Sequence, residues 1–331
     1  MNKSNTMSSR PSRYQRVVAC LGFAKTYNFP LWVIFGGIML GFSFARLQYL
    51  SDRVLKSDLA PGEWFWFKKD LYNTGLKIHL GCILPCAIIG VFQFLPIIRR
   101  KALLLHRIDG YIFLLLLWVS TGGALAIARR SFGGKVETQA AVFALSFLSL
   151  TASSLAYYNV KRLQIEQHRA WMLRTMVYMG AIISARIIMI ISAVSISAVG
   201  SYYALHDCDE LSAMISNSTR FDIDYPTCKL SPNATIPVHA AMGEEKENVS
   251  AAFRVTFGTS VWVAILTHVI AVEIYLRLTP AESERLRMVS YEWQLERGWV
   301  HPGSSGLTSD RWGDAKWSPV LAEEVSDTPG R

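Results

Sequence analysis

The sequence predicts an all-α fold, a polytopic bundle of about six transmembrane helices. Of its 331 residues 51% are hydrophobic, and the mean hydropathy is +0.24. The apolar residues are concentrated in runs of roughly 20 residues, the length that crosses a hydrocarbon core of about 30 Å at 1.5 Å per residue. The net charge of +9 comes largely from basic residues in short segments beside these runs, which is typical of the positive-inside rule rather than of a nucleic-acid binder.

The spans divide the chain into five segments. Residues 1–29 are basic. The first apolar run begins farther from the N-terminus than the apolar stretch of a secretory signal peptide does, so we predict a cytosolic N-terminus. Residues 30–199 form a five-span membrane core, residues 200–254 a polar loop, residues 255–278 a sixth span and residues 279–331 a flexible cytosolic tail. The predicted spans cover residues 30–47, 75–97, 108–128, 139–160, 172–199 and 255–278.

The 200–254 loop is predicted to face the lumen or the cell exterior. It contains glycosylation sequons at Asn217, Asn233 and Asn248, and three sequons within one loop are stronger evidence than one. Cys208 and Cys228 share the loop and can form a disulfide in an oxidising compartment. Both termini are then cytosolic, in an endomembrane or the plasma membrane. The Arg129-Arg130 pair, at the predicted outer end of span three, is the one feature that argues against this orientation.

Polar residues within the spans are functional hypotheses, because each costs several kcal/mol in hydrocarbon unless it has a partner. Counting helix rise places Arg186 and His268 in one layer near the bilayer middle. Gln93 and Glu273 fall in a deeper layer toward the cytosol, whereas His79 lies near the opposite surface. The polar groups therefore collect in the cytosolic half.

Histidine–arginine motifs lie at the cytosolic ends of the spans. His106, His168, Arg169 and Arg174, together with Arg186, form the predicted catalytic set. Histidine suits proton transfer near neutral pH, and arginine suits the binding of a carboxylate or a developing oxyanion. The competing interpretation is that these residues only contact lipid headgroups.

Simpler interpretations also apply to other polar residues. Glu273 and Arg277 stand four apart on one helix and can pair with each other. His268 can hydrogen-bond a neighbouring helix, and Cys82 and Cys86 suit close packing better than redox chemistry. The sequence contains no phosphate-binding loop, nucleophile elbow, zinc-type Cys/His spacing or DNA-reading module. We therefore expect no metal site and no nucleic-acid partner.

Three stretches resemble a known family. HLGCILPCAIIGVFQFLP, RRKALLLHRIDGYIF and EQHRAWMLRTMVY, followed by the intramembrane Arg186, are similar to predicted multi-spanning proteins catalogued as domain of unknown function 2306. The resemblance covers roughly residues 75–190. Fungal members of that family often accompany natural-product genes. The resemblance thus implies a membrane protein of secondary-metabolite biosynthesis, with other membrane-bound biosynthetic enzymes and the lipid bilayer as partners.

Three functions stay open at this point. The first is an enzyme or accessory protein that acts on a lipophilic intermediate through the cytosolic His/Arg site. The second is a haem b electron carrier, which needs two facing imidazoles at one depth, such as His106 and His168. The third is a transporter or scaffold, although inverted repeats are absent and only Pro85 interrupts a span.

Overall fold

The computed structural model describes residues 12–23 and 25–319, which are mostly helical. Three short 3₁₀ turns, Leu47–Leu50, Ser131–Gly134 and Ser309–Trp312, join some of the elements. The elements, in chain order, are α1 (Arg13–Cys20), α2 (Asn28–Arg46), α3 (Asp52–Asp58), α4 (Glu63–Phe67), α5 (Asp70–Gln93), α6 (Pro96–Lys101), α7 (Leu103–Ala128), α8 (Val136–Lys161), α9 (Ile165–Val199), β1 (Tyr203–Asp207), α10 (Cys208–Met214), α11 (Ser218–Asp224), α12 (Pro226–Leu230), β2 (Thr235–His239), α13 (Lys246–Arg277) and α14 (Pro280–Glu296).

Six of these helices are long and apolar enough to cross a membrane: α2 with its 3₁₀ extension, α5, α7, α8, α9 and α13. The predicted fold, a multi-pass helical membrane protein, is confirmed. Helices α9 and α13 exceed their predicted spans most, with 35 and 32 residues. Each begins in polar sequence, with Glu166 or Glu247 in the first turn, where a carboxylate is favoured by the helix dipole.

The described chain forms two compact units. The first contains the residues up to Gln139 together with Ile190–Thr256, and the second contains Ala140–Met189 and the residues from Phe257 onward. Helices α8, α9 and α13 contribute residues to both.

Close packing of α5 against α7 organises the first unit. The two backbones approach at Gly123, where an added Cβ would lie 2.7 Å from the Gly75 carbonyl oxygen and 2.8 Å from the His79 amide nitrogen. Small residues permit such approach in membrane helices, where dispersion and hydrogen bonding replace the hydrophobic effect. Ser120 adds hydrogen bonds across the same contact. Helix α2 docks on α5 through the Trp32 indole, which donates to the Val91 carbonyl at 3.0 Å.

Residues 200–254, which were predicted to form a polar loop, contain regular secondary structure. Strands β1 and β2 pair antiparallel, with Tyr203 opposite His239, and helices α10–α12 lie between them in sequence. A disulfide joins Cys208 to Cys228 across 5.4 Å between their Cα atoms. This segment, β1 to β2, is termed the disulfide cap below. It buries alternate β1 residues because side chains of a strand point to opposite faces.

A buried polar network anchors the disulfide cap to the start of α13. Arg254 forms an ion pair with Glu210, and both side chains are at most 5% exposed. Arg254 Nη1 also donates to the Leu205 carbonyl at 3.0 Å, and His206 Nε2 lies 3.1 Å from Ser250 Oγ. Buried charges are tolerated when they are paired and hydrogen-bonded. None of these residues was singled out by the sequence, because an acid and a base 44 positions apart carry no local pattern.

The arginine pair that argued against the predicted orientation has a local partner. The Arg130 guanidinium carbon lies 3.6 Å from the centroid of the Trp66 ring, a cation–π contact. Beside it, the Glu63 carboxylate accepts the Phe132 amide with both oxygens, at 3.0 and 3.1 Å. That bond supports Phe132 in the left-handed region, at φ 49°. The aromatic α4 thus holds the α7–α8 turn.

The C-terminal segment differs from the flexible tail we expected. Helix α14 packs in the second unit, and Ser290 Oγ donates to Glu166 at 2.9 Å. Gln164 Nε2 donates to the Gly303 carbonyl at 2.8 Å, and the Gly303 amide donates to Gln294 at 2.7 Å. The buried side-chain amides are hydrogen-bonded, as buried polar groups in proteins usually are. These contacts and those of Asp310 order the chain as far as Asp310 against the α8–α9 corner.

Glycine at position 123 is required by the α5–α7 contact. We expect Gly123→Ala to lower the melting temperature of the purified protein, because its methyl group would meet backbone atoms that cannot rotate away, at a cost of about 1–3 kcal/mol. Gly122→Ala is the matched control, since nothing lies within 4 Å of its added Cβ. Equal melting temperatures for the two variants would contradict the packing described here.

Acid should weaken the disulfide cap through His206. Burial, with Arg254 adding to it, lowers the His206 pKa to about 3, whereas an unfolded histidine has a pKa of about 6.5. The unfolded chain therefore binds a proton that the folded chain excludes, and stability present above pH 6.5 is lost as the pH falls toward 3. At pH 5 the loss is about 2 kcal/mol. Thermal melts at pH 7.5 and 5.0 should show a drop that shrinks in His206→Gln and persists in the exposed-site control His301→Gln.

Candidate functional site

A cross-helix ion pair is the centre of the candidate site in the second unit. Arg174 of α9 donates to Glu273 of α13 through Nε at 2.6 Å and Nη2 at 2.9 Å. The fork geometry is the strongest form of a guanidinium–carboxylate pair. The Glu273–Arg277 pairing considered from spacing alone is therefore wrong as the principal contact. Arg277 is on the same helix, whereas Arg174 presents two donors in the plane of the carboxylate.

The pair is unequally covered. The Arg174 side chain is 17% exposed and the Glu273 side chain 41% exposed. The Trp171 ring lies 4.4 Å from the Arg174 guanidinium carbon and covers it from one side. Tyr178, Val272 and Ala152 form the buried core next to this layer. The Glu273 carboxylate is thus accessible at the protein surface, whereas the Arg174 guanidinium is mostly covered by neighbouring side chains.

Arg169 lies one to two turns before Arg174 and contacts the end of α13 and the α13–α14 connection. Its Nη2 donates to Thr279 Oγ1 at 3.4 Å, and its guanidinium carbon is 5.9 Å from the Tyr275 ring centroid. Its Nη1 is buried, and no residue in the described part of the chain accepts its hydrogens. A buried donor without an acceptor costs about 1–3 kcal/mol, more for a charged group, so this atom calls for an acceptor.

His168 is oriented by the neighbouring helix. Its Nδ1 lies 2.9 Å from the Ala156 carbonyl oxygen of α8. A carbonyl only accepts, so Nδ1 carries the hydrogen and the neutral ring has its lone pair on Nε2. Nε2 is therefore the nitrogen through which this ring can accept a proton.

Arg186 and His268 lie farther along the helices. Arg186 is twelve residues beyond Arg174, roughly 18 Å along α9, and its guanidinium carbon is 5.0 Å from the Phe257 ring centroid. His268 Nδ1 bonds the Ala264 carbonyl of its own helix at 2.9 Å, and its Nε2 is 3.5 Å from Ser184 Oγ on α9. These contacts fit helix packing. Arg186 is therefore separate from the Arg169–Arg174 group.

The remaining predicted residues belong to the first unit. Gln93 donates to the backbone carbonyl of His106 at 3.1 Å and so closes the α5–α7 connection. The His106 side chain is half-buried at the start of α7. His79 Nδ1 lies 2.9 Å from Ser120 Oγ and 3.0 Å from the Ser120 carbonyl. His79 thus serves the α5–α7 contact, which accounts for its distance from the other polar groups.

The three sequons differ in their surroundings. Asn217 and Asn233 are exposed, each at or beside a turn of the disulfide cap. Asn248 lies within the first turn of α13 and donates to the His239 carbonyl at 3.0 Å, and its sequon serine, Ser250, is 3% exposed. An oligosaccharide transferred to Asn248 would have to fit on the Nδ2 atom that already bonds His239, beside a packed surface.

Trp171 and Thr279 are the site residues that the sequence did not single out. Trp171 stands three residues before Arg174, a spacing that places the two on one helix face. Among residues 12–23 and 25–319, no group of three or more His, Cys, Asp or Glu side chains is placed to hold a metal ion.

Comparison with known proteins connects this chain to one family. A sequence model of the family described as "Predicted membrane protein (DUF2306)" matches residues 76–208, which include both histidine–arginine motifs and Arg186. The predicted resemblance is confirmed over that stretch. The chain is also similar to the Ava biosynthesis cluster protein G of Aspergillus versicolor, with 22% identity over 320 residues that cover 81% of this chain and 94% of that protein. No solved structure matches.

Glycosylation should distinguish the three asparagines. We expect Asn217→Gln and Asn233→Gln each to remove one glycan, because both sites are exposed, and Asn248→Gln to leave the mobility unchanged. Electrophoresis before and after endoglycosidase treatment measures the number of glycans. A shift caused by Asn248→Gln would contradict the assignment, and an unglycosylated wild-type protein would contradict the lumenal placement of the disulfide cap.

Proposed function

We propose, from the match of residues 76–208 to a predicted membrane protein family, that this protein acts in the bilayer on a lipophilic intermediate of secondary-metabolite biosynthesis, as an enzyme or as the accessory protein of one. The printed name of its Aspergillus versicolor relative, a biosynthesis cluster protein, supports the pathway class. The contacts of α9 and α13 support the position of the site.

The buried Nη1 of Arg169 is the observation that carries the proposal. A guanidinium donor that lacks an acceptor within the described chain is suited to an acceptor that arrives with a ligand. An oxygen anion or a polarised carbonyl satisfies it best, because bonds between charged groups are stronger than neutral ones. The proposed substrate therefore has an acidic or carbonyl oxygen on an otherwise apolar body.

The Arg174–Glu273 pair defines the neighbouring electrostatics. Because Glu273 neutralises Arg174, the net positive charge near this layer is left to the half-buried Arg169 and to the exposed Arg277, one turn beyond Glu273. A buried anionic oxygen is then directed to Arg169 rather than to Arg174. Donors that are already in place stabilise negative charge without further reorganisation.

His168 precedes Arg169 and is the proposed acid–base group. Its tautomer, set by the Ala156 carbonyl, places the basic nitrogen at Nε2. A base next to an oxyanion-binding arginine suits proton removal from a carbon or hydroxyl that is acidified by the bound carbonyl. His106 and Arg186 remain candidates that were predicted from the sequence, but neither residue takes part in the contacts of Arg169.

Access from the bilayer follows from the exposure of Glu273 and of the apolar residues around it. Ile274 and Ile270 on α13 are more than half exposed, and so is Leu278. A membrane-partitioned substrate reaches such a surface laterally, without passing through water. The bilayer also raises the local concentration of a lipophilic compound.

Deletion of the gene, followed by metabolite profiling and complementation, tests this function. We expect the deletion strain to accumulate a lipophilic intermediate that bears a carbonyl or acidic group. Arg169→Gln should fail to restore the product, because loss of a charged hydrogen bond of about 1.5–3 kcal/mol lowers turnover roughly 10- to 100-fold.

Arg162→Gln is the matched control. Arg162 is also a basic residue at the α8–α9 corner, but it is exposed and rests on the Tyr158 ring. Complementation by Arg162→Gln should equal the wild type at equal protein level. Full complementation by Arg169→Gln would reject the site, and an unchanged metabolite profile on deletion would reject the function.

A further inference from the structure

A basic surface in the first unit is not used by the proposed function. It consists of α1 and α6, the two short helices that precede α2 and α7. We propose that this surface binds the headgroups of anionic phospholipids in the adjacent leaflet. The basic residues of this surface are Arg13, Arg16, Arg99, Arg100 and Lys101.

The fold brings α1 and α6 together. The Ile97 amide, at the start of α6, donates to the Leu21 carbonyl, just after α1, at 3.1 Å. Gly22 permits this approach, since it has φ +82° and its added Cβ would lie 3.3 Å from the Ile97 nitrogen. Two segments that are 75 residues apart in sequence thus form one surface.

Helix α1 presents its charge away from the protein. Val18 is 3% exposed and anchors the helix, whereas Arg13 and Arg16 are exposed. At 100° per residue these arginines lie roughly 140–160° around the helix from Val18. The capping box of Ser12 and Gln15 holds the first turn, so the helix is formed before any lipid binds.

Helix α6 has the same arrangement beside an apolar strip. Pro96 is buried, and Arg100 and Lys101 are exposed. The exposed Leu103 and Leu104 follow immediately and begin the apolar surface of α7. A charged row directly beside an apolar strip matches the boundary between headgroups and acyl chains.

The sequence segments that form this surface contain no acid of their own. Residues 1–51 and 71–108 contain no Asp or Glu, so Asp109 is the first acid after α6. Within the described ranges, Arg13, Arg16, Arg100 and Lys101 form no ion pair. Clusters of four to eight basic residues at a membrane surface attract anionic lipids, with each charge contributing additively.

Native mass spectrometry of the full-length protein tests the proposal. The protein is released from micelles doped with phosphatidylserine or with phosphatidylcholine, and the bound lipids are counted. We expect phosphatidylserine adducts in preference to phosphatidylcholine adducts, and removal of three charges in Arg99→Gln/Arg100→Gln/Lys101→Gln to lower that affinity on the order of a hundredfold. Added salt should lower it as well.

The triple variant Arg53→Gln/Lys56→Gln/Lys68→Gln is the matched control. It removes the same charge from exposed positions on α3 and just after α4, which lie beyond the other end of α2. Arg13→Gln/Arg16→Gln, which changes only α1, should reproduce part of the loss and guards against misfolding of the α6 variant. Equal phosphatidylserine retention by the α6 and control variants would overturn the proposal. Full displacement by inorganic phosphate would assign the surface to free anions instead of lipid.

Discussion

The absence of water inside a bilayer is the constraint on which this structure depends. Each polar side chain on a spanning helix must find its partner on protein, and the structure shows where those partners come from. His79 meets Ser120 across the α5–α7 contact, and Arg174 meets Glu273 across the α9–α13 contact. Polar contacts in hydrocarbon therefore select which helices pair and in which register. The Gly75–Gly123 approach is one consequence, because the hydrogen bonds of Ser120 reach only when the two backbones are close.

Buried arginines show most clearly how far this requirement for a partner is met. Arg254 and Glu210 are almost fully buried and form an ion pair with each other, which is typical of a structural anchor, although Arg254 Nε has no acceptor among the described residues. Arg169 is different, because it forms no ion pair with a described carboxylate, and its buried Nη1 has no acceptor there either. The desolvation cost of the Arg169 charge is therefore not offset by a carboxylate of the described chain. The contrast separates the disulfide cap, which is built as a stable lid on α13, from the α9–α13 contact, which is suited to a ligand.

Segments outside the spans are held in place by a second kind of contact. The C-terminal segment is held by side-chain amides of Gln164 and Gln294 that bond the backbone of residues near Gly303. These bonds replace the hydrophobic face that the polar α14 sequence lacks. Aromatic rings do similar work at the α7–α8 turn, where Trp66 receives Arg130. Charged and polar residues at the ends of the helices thus serve as connections, and their placement in sequence is a poor guide to orientation by itself.

The sequence by itself determined the membrane class, the six spans and the family resemblance, because span length and hydropathy depend only on local composition. It also located the histidine–arginine motifs, since polar residues in apolar runs are conspicuous. Only the tertiary structure decided the pairings. Glu273 bonds Arg174, 99 positions away, rather than Arg277, and residues 280–310 are folded where composition indicated a flexible tail. Helical spacing specifies which residues share a face, but the partner helix is chosen by contacts between distant segments, and no local pattern encodes that choice.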